Sequence, residues 1–246
     1  MSNPSPATEL RFAGPDGLPA DYKDLLIRML SIQSRIESEY MLAPERTLLK
    51  PLALAPTAED KAEYAAFWSD EVRHASYWMK LLEDLGVTVD HKFMASPMPI
   101  YIFEMRDQAV DWIEYGLFSF FADRQGAYMG YEWVGCSYEP LARIAERVHK
   151  EELGHAAFGY RLIRRYLQRE GDRGRELLIK HLAKWYPAGL DMFGRSGSQR
   201  QFDYVRWGLR RHSNEQMRDE FTGEVNNLLT KLEIPIPDPA AGRRFS

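Results

Sequence analysis

Four long segments of the chain space their apolar residues three and four positions apart, and this spacing limits the fold more than any other feature. It is clear in "YKDLLIRMLSIQSRIESEYML" and again in "AEDKAEYAAFWSDEVRHASYWMKLLEDLG". Apolar residues at these intervals line one face of an α-helix, so both segments are predicted to be amphipathic helices. No series of alternating segments indicates strands, and no internal repeat indicates a solenoid. The sequence therefore predicts an all-α fold.

Capping residues and helix breakers set the bounds of these helices. Thr57 is suited to cap the second helix and Gly86 to end it, while Pro140 suits the first turn of the fourth. A glycine-rich loop is predicted at "FGRSGSQRQ", and Ser213 is suited to cap the last helix. The predicted long helices cover about 21–43, 58–85, 105–136 and 140–170, with shorter ones at about 173–186 and 214–232.

The connection between the second and third helices favours one kind of bundle. Residues 87–101 contain Pro97 and Pro99 and are predicted to form an extended crossover loop. A long crossover between helices is typical of ferritin-like bundles. We therefore expect a ferritin-like four-helix bundle with extra C-terminal helices. The expected organisation is a flexible N-terminal arm at 1–20, a single ferritin-like helical domain at 21–236 and an irregular tail at 237–246.

Composition excludes several classes of function. The formal charge is −4 and the basic residues are scattered, so nucleic acid is not an expected partner. No stretch reaches the ~18 apolar residues of a membrane span, and no secretory signal precedes the first helix, which favours a cytoplasmic protein. Cys136 is the only cysteine and is interpreted as a small buried hydrophobe. Any metal must therefore be held by histidine and carboxylate side chains.

Two Glu-x-x-His pairs on separate long helices carry the chemical signal. Glu71 and His74 lie on the second helix, and Glu152 and His155 lie on the fourth. In carboxylate-bridged dimetal bundles, two helices each supply such a pair and the other two each supply one inward carboxylate. The candidate carboxylates are Glu37 on the first helix and Asp123 on the third. The predicted metal ligands, which are also the predicted catalytic residues, are Glu37, Glu71, His74, Asp123, Glu152 and His155.

Charge explains why these groups would be buried together. Four neighbouring carboxylates repel one another unless cations neutralise them, and two divalent ions supply a matching charge. Ligands of this type suit two iron ions, with manganese as the alternative. Asp70 and Glu151 each precede a ligand glutamate and are predicted to hydrogen-bond the outer nitrogens of the ligand histidines.

Several other residues compete for these roles. Glu146 and His149 also stand three apart, but the later pair repeats the acid-Glu-x-x-His form of the second helix and is preferred. Glu114 and Glu132 are alternatives to Asp123. The histidines His91, His181 and His212 are interpreted as surface or ordinary core. The aromatics are interpreted as core, with a radical or electron-transfer role as the alternative: Tyr115, Tyr128, Tyr131 and Trp133. The basic clusters "RLIRR" and "RWGLRRH" are interpreted as solvated faces, with contact to a substrate's phosphates as the alternative.

Several of these segments resemble the catalytic-subunit family of phenylacetyl-CoA monooxygenase, also called the epoxidase, a ferritin-like di-iron family. "SDEVRHASYW" is similar to its Asp-Glu-x-x-His stretch, and "FADRQGAY" carries its aspartate at position 123. "CSYEPLARIAERVHKEELGH" resembles its Ser-Tyr-x-Pro segment followed by Lys-Glu-Glu-x-x-His. "PAGLDMFG" and "PIPDP" resemble further landmarks near the C-terminus. The resemblance covers most of the chain.

The resemblance implies a di-iron oxygenase that inserts one oxygen atom into the ring of an aromatic acyl-CoA such as phenylacetyl-CoA. It further implies electrons from a separate flavin and iron-sulfur reductase and a structural subunit of similar fold, with a homodimer as the alternative. "LAPERTLLKPLALAP" differs from the family's loop after the first helix, and the family usually continues with a further C-terminal segment after the position of "PIPDPAAGRRFS". Another acyl-CoA, a carrier-bound acyl group or a free aromatic acid therefore stays open as substrate.

Two other functions remain alternatives. One is a ferritin- or rubrerythrin-like iron or manganese oxidase, which would need no organic substrate. The chain has no Cys-x-x-Cys pair for a rubredoxin-like centre, which disfavours the rubrerythrin form. The other is a non-catalytic structural subunit of such an oxygenase.

Overall fold

The protein is described by a computed structural model, which covers residues 10–96 and 100–245. These residues form mainly helices. Within these ranges the only β-type pairing is a bridge between Phe12 and Tyr138, so the all-α prediction is confirmed. Two π-helical turns, Glu45–Leu49 and Ser119–Asp123, precede α2 and α7. The helices are α1 (Ala20–Leu42), α2 (Lys50–Leu54), α3 (Ala58–Asp84), α4 (His91–Met94), α5 (Tyr101–Gln108), α6 (Trp112–Phe118), α7 (Arg124–Trp133), α8 (Glu139–Asp191), α9 (Gln199–Arg206) and α10 (Asn214–Lys231).

The four long elements form the expected bundle. α1 packs against α3, and α8 packs against α6, the second π-helical turn and α7. α3 also contacts α8, which brings the two Glu-x-x-His helices together. Large side chains such as Tyr22, Trp78 and Phe120 are fully buried between these helices. Burial of side chains of this size provides most of the favourable free energy of such packing. The ferritin-like bundle prediction is confirmed.

The crossover between α3 and α6 is partly helical, so the prediction of an extended loop is wrong for α4. Asp90 accepts a hydrogen bond from the backbone nitrogen of Phe93 at 2.8 Å and thereby caps α4. This capping satisfies one of the backbone donors that a short helix would otherwise leave unpaired. Pro97 and Pro99, on which the extended prediction depended, lie outside the described residues.

The third long helix begins later than the sequence predicts. Met105 belongs to the separate helix α5, and α6 begins at Trp112. Ala109 has extended backbone dihedrals (φ −53°, ψ 135°), which end α5. Asp111 then caps α6 by accepting a hydrogen bond from the backbone nitrogen of Glu114 at 3.1 Å. The bundle helix is therefore α6, the π-helical turn and α7 together.

Helix α8 contains the break that the sequence predicts at Gly171. This glycine has φ 57° and ψ −137°, a conformation that other residues rarely adopt. The helical segment that follows was expected to end near 186, but it continues through Pro187 to Asp191. This extension packs closely on the second π-helical turn, because a Cβ added at Gly189 would lie 2.6 Å from the ring of Phe121.

The C-terminal part adds two helices to the bundle. Ser213 caps α10 as predicted, and Gln216 completes a capping box with it. The first residues of helix α9 lie where the sequence predicted a loop, and Gln201 and Tyr204 of this helix are buried. None of the described helices is both long enough and apolar enough to cross a membrane.

The N-terminal segment lies against the bundle where it is described. The backbone nitrogen of Phe12 donates to the carbonyl of Ser137 at 2.8 Å, and that of Glu139 donates to the carbonyl of Phe12 at 3.0 Å. Residues 1–9 of the expected arm lie outside the described residues. The expected arm, single domain and tail stay predictions.

Candidate metal centre

The structure brings all six predicted ligands into the middle of the bundle. α1 supplies one residue, α3 and α8 supply two each, and the π-helical turn supplies the aspartate. Charged side chains are almost never buried this deeply without compensation. The exposed fractions are 5% for Glu37, 5% for Glu71, 0% for His74, 7% for Asp123, 6% for Glu152 and 5% for His155.

Nitrogen and carboxylate atoms of this cluster face one another at close range. Glu37, Glu71, His74 and Glu152 each offer one atom within 4.8 Å of the others. Nδ1 of His155 lies 3.1 Å from Oε1 of Glu71, and Nδ1 of His74 lies 3.5 Å from Oε1 of Glu152. Asp123 lines the same small cavity as the three glutamates. The six side chains therefore form one group.

Four buried atoms of the group make no hydrogen bond within the described part of the chain. They are Nδ1 of His74, Nδ1 of His155, Oε1 of Glu71 and Oδ2 of Asp123. Buried polar atoms without partners are rare in folded proteins because each costs about 1–3 kcal/mol. All four carry lone pairs that a metal ion accepts. The donor set, two imidazole nitrogens with carboxylate oxygens and no thiolate, fits iron or manganese.

The outer nitrogen of each histidine bonds an acid on the opposite helix. Nε2 of His74 lies 2.8 Å from Oε2 of Glu151, and Nε2 of His155 lies 3.2 Å from Oδ2 of Asp70. Arg73 contacts both of these acids. With Nε2 engaged as a donor, Nδ1 is the nitrogen of each ring that faces the carboxylates and, once deprotonated, can offer a lone pair to a metal ion. The expected hydrogen bonds are present, and they cross between α3 and α8.

Burial and neighbouring charges shift the proton equilibria of the group. Burial would lower the pKa of His74, but the adjacent Glu152, Glu71 and Glu37 carboxylates raise it to about 10. Likewise Glu152 and Glu71 outweigh burial and raise the pKa of His155 to about 12. Burial raises the pKa of Asp123 to about 8, with Glu71 and Glu152 adding to the effect. In the metal-free protein, protons therefore balance part of the carboxylate charge.

Two glycines let the surrounding helices approach the cluster. A Cβ at Gly126 would lie 2.8 Å from Oε2 of Glu152, so the absence of a side chain leaves room for that carboxylate. A Cβ at Gly159 would lie 2.8 Å from the carbonyl carbon of Ser119 and closer still to the next backbone nitrogen. α8 can thus pack directly on the π-helical turn that carries Asp123.

The competing candidates have other partners. Nδ1 of His149 lies 2.9 Å from the carbonyl of Ala127, and Glu146 is exposed. Glu132 accepts hydrogen bonds from the loop before α10, including one with the His212 ring at 2.7 Å. The sequence therefore identified the residues that meet in space, although no motif distinguished Asp123 from Glu132 before the resemblance was considered.

The interpretations of the remaining side chains are mostly confirmed. Cys136, Tyr115 and Trp133 are buried, as expected. Tyr131 is 49% exposed, so the core interpretation is wrong for this residue. It lies on the outer side of α7, where its ring contacts the ring of His149 with centroids 5.7 Å apart.

Comparison with known proteins places this arrangement in a family. A model of the family described as phenylacetic acid catabolic protein matches residues 10–244. The chain belongs to this family. One of the subunits of 1,2-phenylacetyl-CoA epoxidase from Escherichia coli (strain K12) is 24% identical over 239 residues, covering 95% of this chain and 75% of that protein. Benzoyl-CoA oxygenase component B from Aromatoleum evansii is 22% identical over 230 residues, covering 82% of this chain but 48% of that protein. The resemblance inferred from the motifs is confirmed.

This member of the family has a second acid and histidine group that spacing did not reveal. Nε2 of His181 lies 3.3 Å from Oδ2 of Asp111, and its Nδ1 lies 3.5 Å from Oε1 of Glu114. The three residues come from α8 and the start of α6, which are far apart in the sequence. Both acids also accept backbone hydrogen bonds at the start of α6, so helix capping accounts for them.

Proposed function

We propose that the chain is a di-iron oxygenase subunit that uses dioxygen to insert one oxygen atom into the ring of an aromatic acyl-CoA such as phenylacetyl-CoA. The observation that carries this proposal is that four buried atoms of one cluster, two from histidines and two from carboxylates, have no hydrogen-bond partner in the described part of the chain. Family membership and two oxygenase relatives support the same function.

The ligand assignment follows from charge and position. Glu37, Glu71, Asp123 and Glu152 supply four carboxylates, and two divalent ions would supply four positive charges. His74 and His155 would each offer Nδ1 to one ion. Two bound irons would supply the redox chemistry with dioxygen that amino acid side chains lack.

The surrounding side chains orient the ligands. Glu151 and Asp70 fix the ring planes of the two histidines, and Arg73 holds both acids. The Trp78 indole nitrogen donates to Oε2 of Glu37, which leaves the other oxygen of that carboxylate available. These contacts keep the ligand atoms in place before an ion arrives, so less rearrangement is needed on binding.

Protons must leave the group when metal enters. His74 and His155 hold protons in the metal-free protein at neutral pH, and so does Asp123 up to about pH 8. Binding of metal through Nδ1 of the histidines and through the Asp123 carboxylate would require these protons to be released to solvent. Metal affinity is therefore expected to rise with pH across the neutral range.

The expected partner proteins are inferred from the names of the two relatives. One is named as part of an epoxidase with lettered subunits and the other as component B of an oxygenase, so both belong to multicomponent systems. We expect electrons from a separate flavin and iron-sulfur reductase. A structural subunit of similar fold, or a homodimer in its place, and a cytoplasmic location also stay predictions.

The testing experiment compares wild type with Glu152→Ala after expression in iron-rich medium. Glu146→Ala is the matched control, since it removes an exposed glutamate of the same helix that also stands three residues before a histidine. We expect about two irons per chain in wild type and control and a large loss in Glu152→Ala. Mössbauer spectra of the wild type should show two coupled irons.

Oxygen consumption then distinguishes the functions. With phenylacetyl-CoA and a suitable reductase, wild type should consume dioxygen and form an oxygenated thioester, whereas the metal-free protein should not. Iron oxidation that needs no organic substrate, with no such product, would point to a ferritin-like oxidase instead. Equal, low metal content in all three proteins would point to a structural subunit.

A further inference from the structure

Two adjoining cavities lead away from the candidate metal centre. The inner cavity, about 50 Å³, is lined by the carboxylates of the cluster. The outer cavity, about 170 Å³, has a mostly apolar lining that includes Trp133. Their shared lining residues are Gln33, Ile36, Gln125 and Met192. An apolar cavity of about 150 Å³ holds a benzene molecule, so the outer one has room for an aromatic ring and a short chain.

Arg210 lies between the outer cavity and a third cavity of about 200 Å³. It is the one described residue that lines both the outer cavity and the third. Arg11, Arg206 and Arg211 also line the third cavity, which we call the four-arginine cavity. No aspartate or glutamate is present among the described residues of its lining. The cavity therefore concentrates positive charge beside an apolar passage to the cluster.

Arg210 and Arg211 carry charge that no ion pair in the described ranges neutralises. Arg206, by contrast, pairs with Asp203 at 3.3 Å and with Asp21 at 3.7 Å. Arg210 donates from Nη1 to Oδ1 of Asn214 at 3.3 Å, and its buried Nε has no hydrogen-bond partner there. A buried guanidinium without a counter-ion is costly, and a bound anion would remove that cost.

The charge of Glu132 acts on Arg210, but the two side chains make no ion-pair contact in the described ranges. Glu132 accepts hydrogen bonds from the backbone nitrogens of Arg211 at 2.6 Å and His212 at 2.8 Å. Its other oxygen lies 2.7 Å from Nδ1 of the His212 ring. Both oxygens of Glu132 bond the loop rather than the Arg210 guanidinium, so Nε of Arg210 remains available to a ligand.

We propose that the four-arginine cavity binds the phosphates of a CoA thioester, whose acyl arm passes Arg210 and places the aromatic ring in the outer cavity. Guanidinium groups bind phosphate oxygens through paired, charge-assisted hydrogen bonds. One carboxylate would occupy one arginine, whereas Arg210 and Arg211 together can bind more than one of the phosphate charges of CoA. The aromatic acyl group rests on the proposed function, but the phosphate site does not.

The test measures binding to the metal-free protein by isothermal titration calorimetry. The probes are phenylacetyl-CoA and S-phenylacetylpantetheine, which carries the same thioester without phosphates. The variants are Arg210→Gln and Arg211→Gln, with Arg210→Lys to retain charge and thermal melting to confirm folding. Arg164→Gln is the control, because Arg164 is exposed on α8 and lines none of the three cavities.

We expect each Gln variant to bind phenylacetyl-CoA about ten- to a hundred-fold more weakly, as loss of a charge-assisted hydrogen bond predicts. Arg210→Lys should recover part of the affinity, and Arg164→Gln should match wild type. Arg211→Gln should not weaken binding of the pantetheine thioester. Equal wild-type affinity for the two thioesters, or Gln variants that weaken binding of both thioesters equally, would overturn the phosphate site.

The outcome of this binding titration does not depend on whether the protein activates dioxygen. Absence of CoA binding would leave a di-iron oxygenase acting on another substrate, because no metal is present in the titration. Phosphate-dependent CoA binding by a protein that never retains iron would instead support the phosphate site and contradict the proposed function.

Discussion

Replacing Gly126 by alanine should weaken metal binding while leaving the fold intact. The new Cβ would lie 2.8 Å from Oε2 and 3.0 Å from Cδ of Glu152. Ordinary contacts between such atoms are about 3.5 Å, so the carboxylate must move by roughly 0.5 Å. Metal sites tolerate displacements of about that size poorly. We expect a ten- to hundred-fold loss of affinity, about 1.4–2.8 kcal/mol, similar to the loss of an outer hydrogen bond.

The metal-free variant should remain folded. Alanine gains about 1 kcal/mol over glycine within a helix, and overpacking costs about 1–3 kcal/mol, so the net loss of stability should not exceed about 2 kcal/mol. Gly154→Ala is the matched control, since nothing lies within 4 Å of a Cβ added there. That variant should gain stability and bind metal as wild type does.

Anaerobic titration with ferrous iron against a competing chelator measures the affinity, and urea denaturation of the metal-free proteins measures the stability. If Gly126→Ala bound two irons with wild-type affinity, then Glu152 would not need its present position to bind metal. The assignment of Glu152 as a ligand would then lose its geometric support.

Three further predictions concern the same region. Asp70→Asn should lower metal affinity about ten-fold or more by weakening the hold on His155, and equal affinity in competition titrations would contradict this role. Metal-free protein should lose stability as pH rises from 6.5 towards 10. In the folded state the pKa values of His74 and His155 are raised to about 10 and 12 and that of Asp123 to about 8. The folded state therefore retains protons that the unfolded state has already released, and its free energy of unfolding falls as pH rises. Denaturation at pH 6.5 and 9 tests this, and a flat profile would count against it. Gly159→Ala should cost about 3 kcal/mol or more by forcing α8 from the π-helical turn, and near-wild-type stability in urea would refute this packing.

Much of the fold was predictable because its signals are local. Apolar spacing defines the bundle helices, and capping at Thr57 and Ser213 marks where two of them begin. The start of α6 was missed because Asp111 acts as a cap only if the preceding residues leave the helix, as Ala109 does. The π-helical turn has no comparable sequence signal. It depends on the approach of α8 at Gly159, which is a tertiary contact.

The candidate ligand group was predictable for a different reason. Its spacing within α3 and α8 follows the helical repeat, so the motif survives in the linear sequence. The direction of the outer hydrogen bonds was not predictable, because Asp70 bonds the histidine of α8 rather than its own neighbour on α3. The four-arginine cavity was hidden as well. It combines Arg11 with the loop at 206–211, and only the folded chain brings these segments together.

The π-helical turn at Ser119–Asp123 has a consequence for the angular phase of the third bundle helix. A π-helical turn accommodates one more residue than an α-helical turn, and each residue rotates a helix by about 100°. Within the wide turn each residue rotates the chain by less than this, so Gly126 and the rest of α7 lie about one residue out of the phase that α6 alone would predict. The extra residue therefore decides which face of α7 meets Glu152. An insertion or deletion here would also move Asp123, the candidate ligand at the end of the turn.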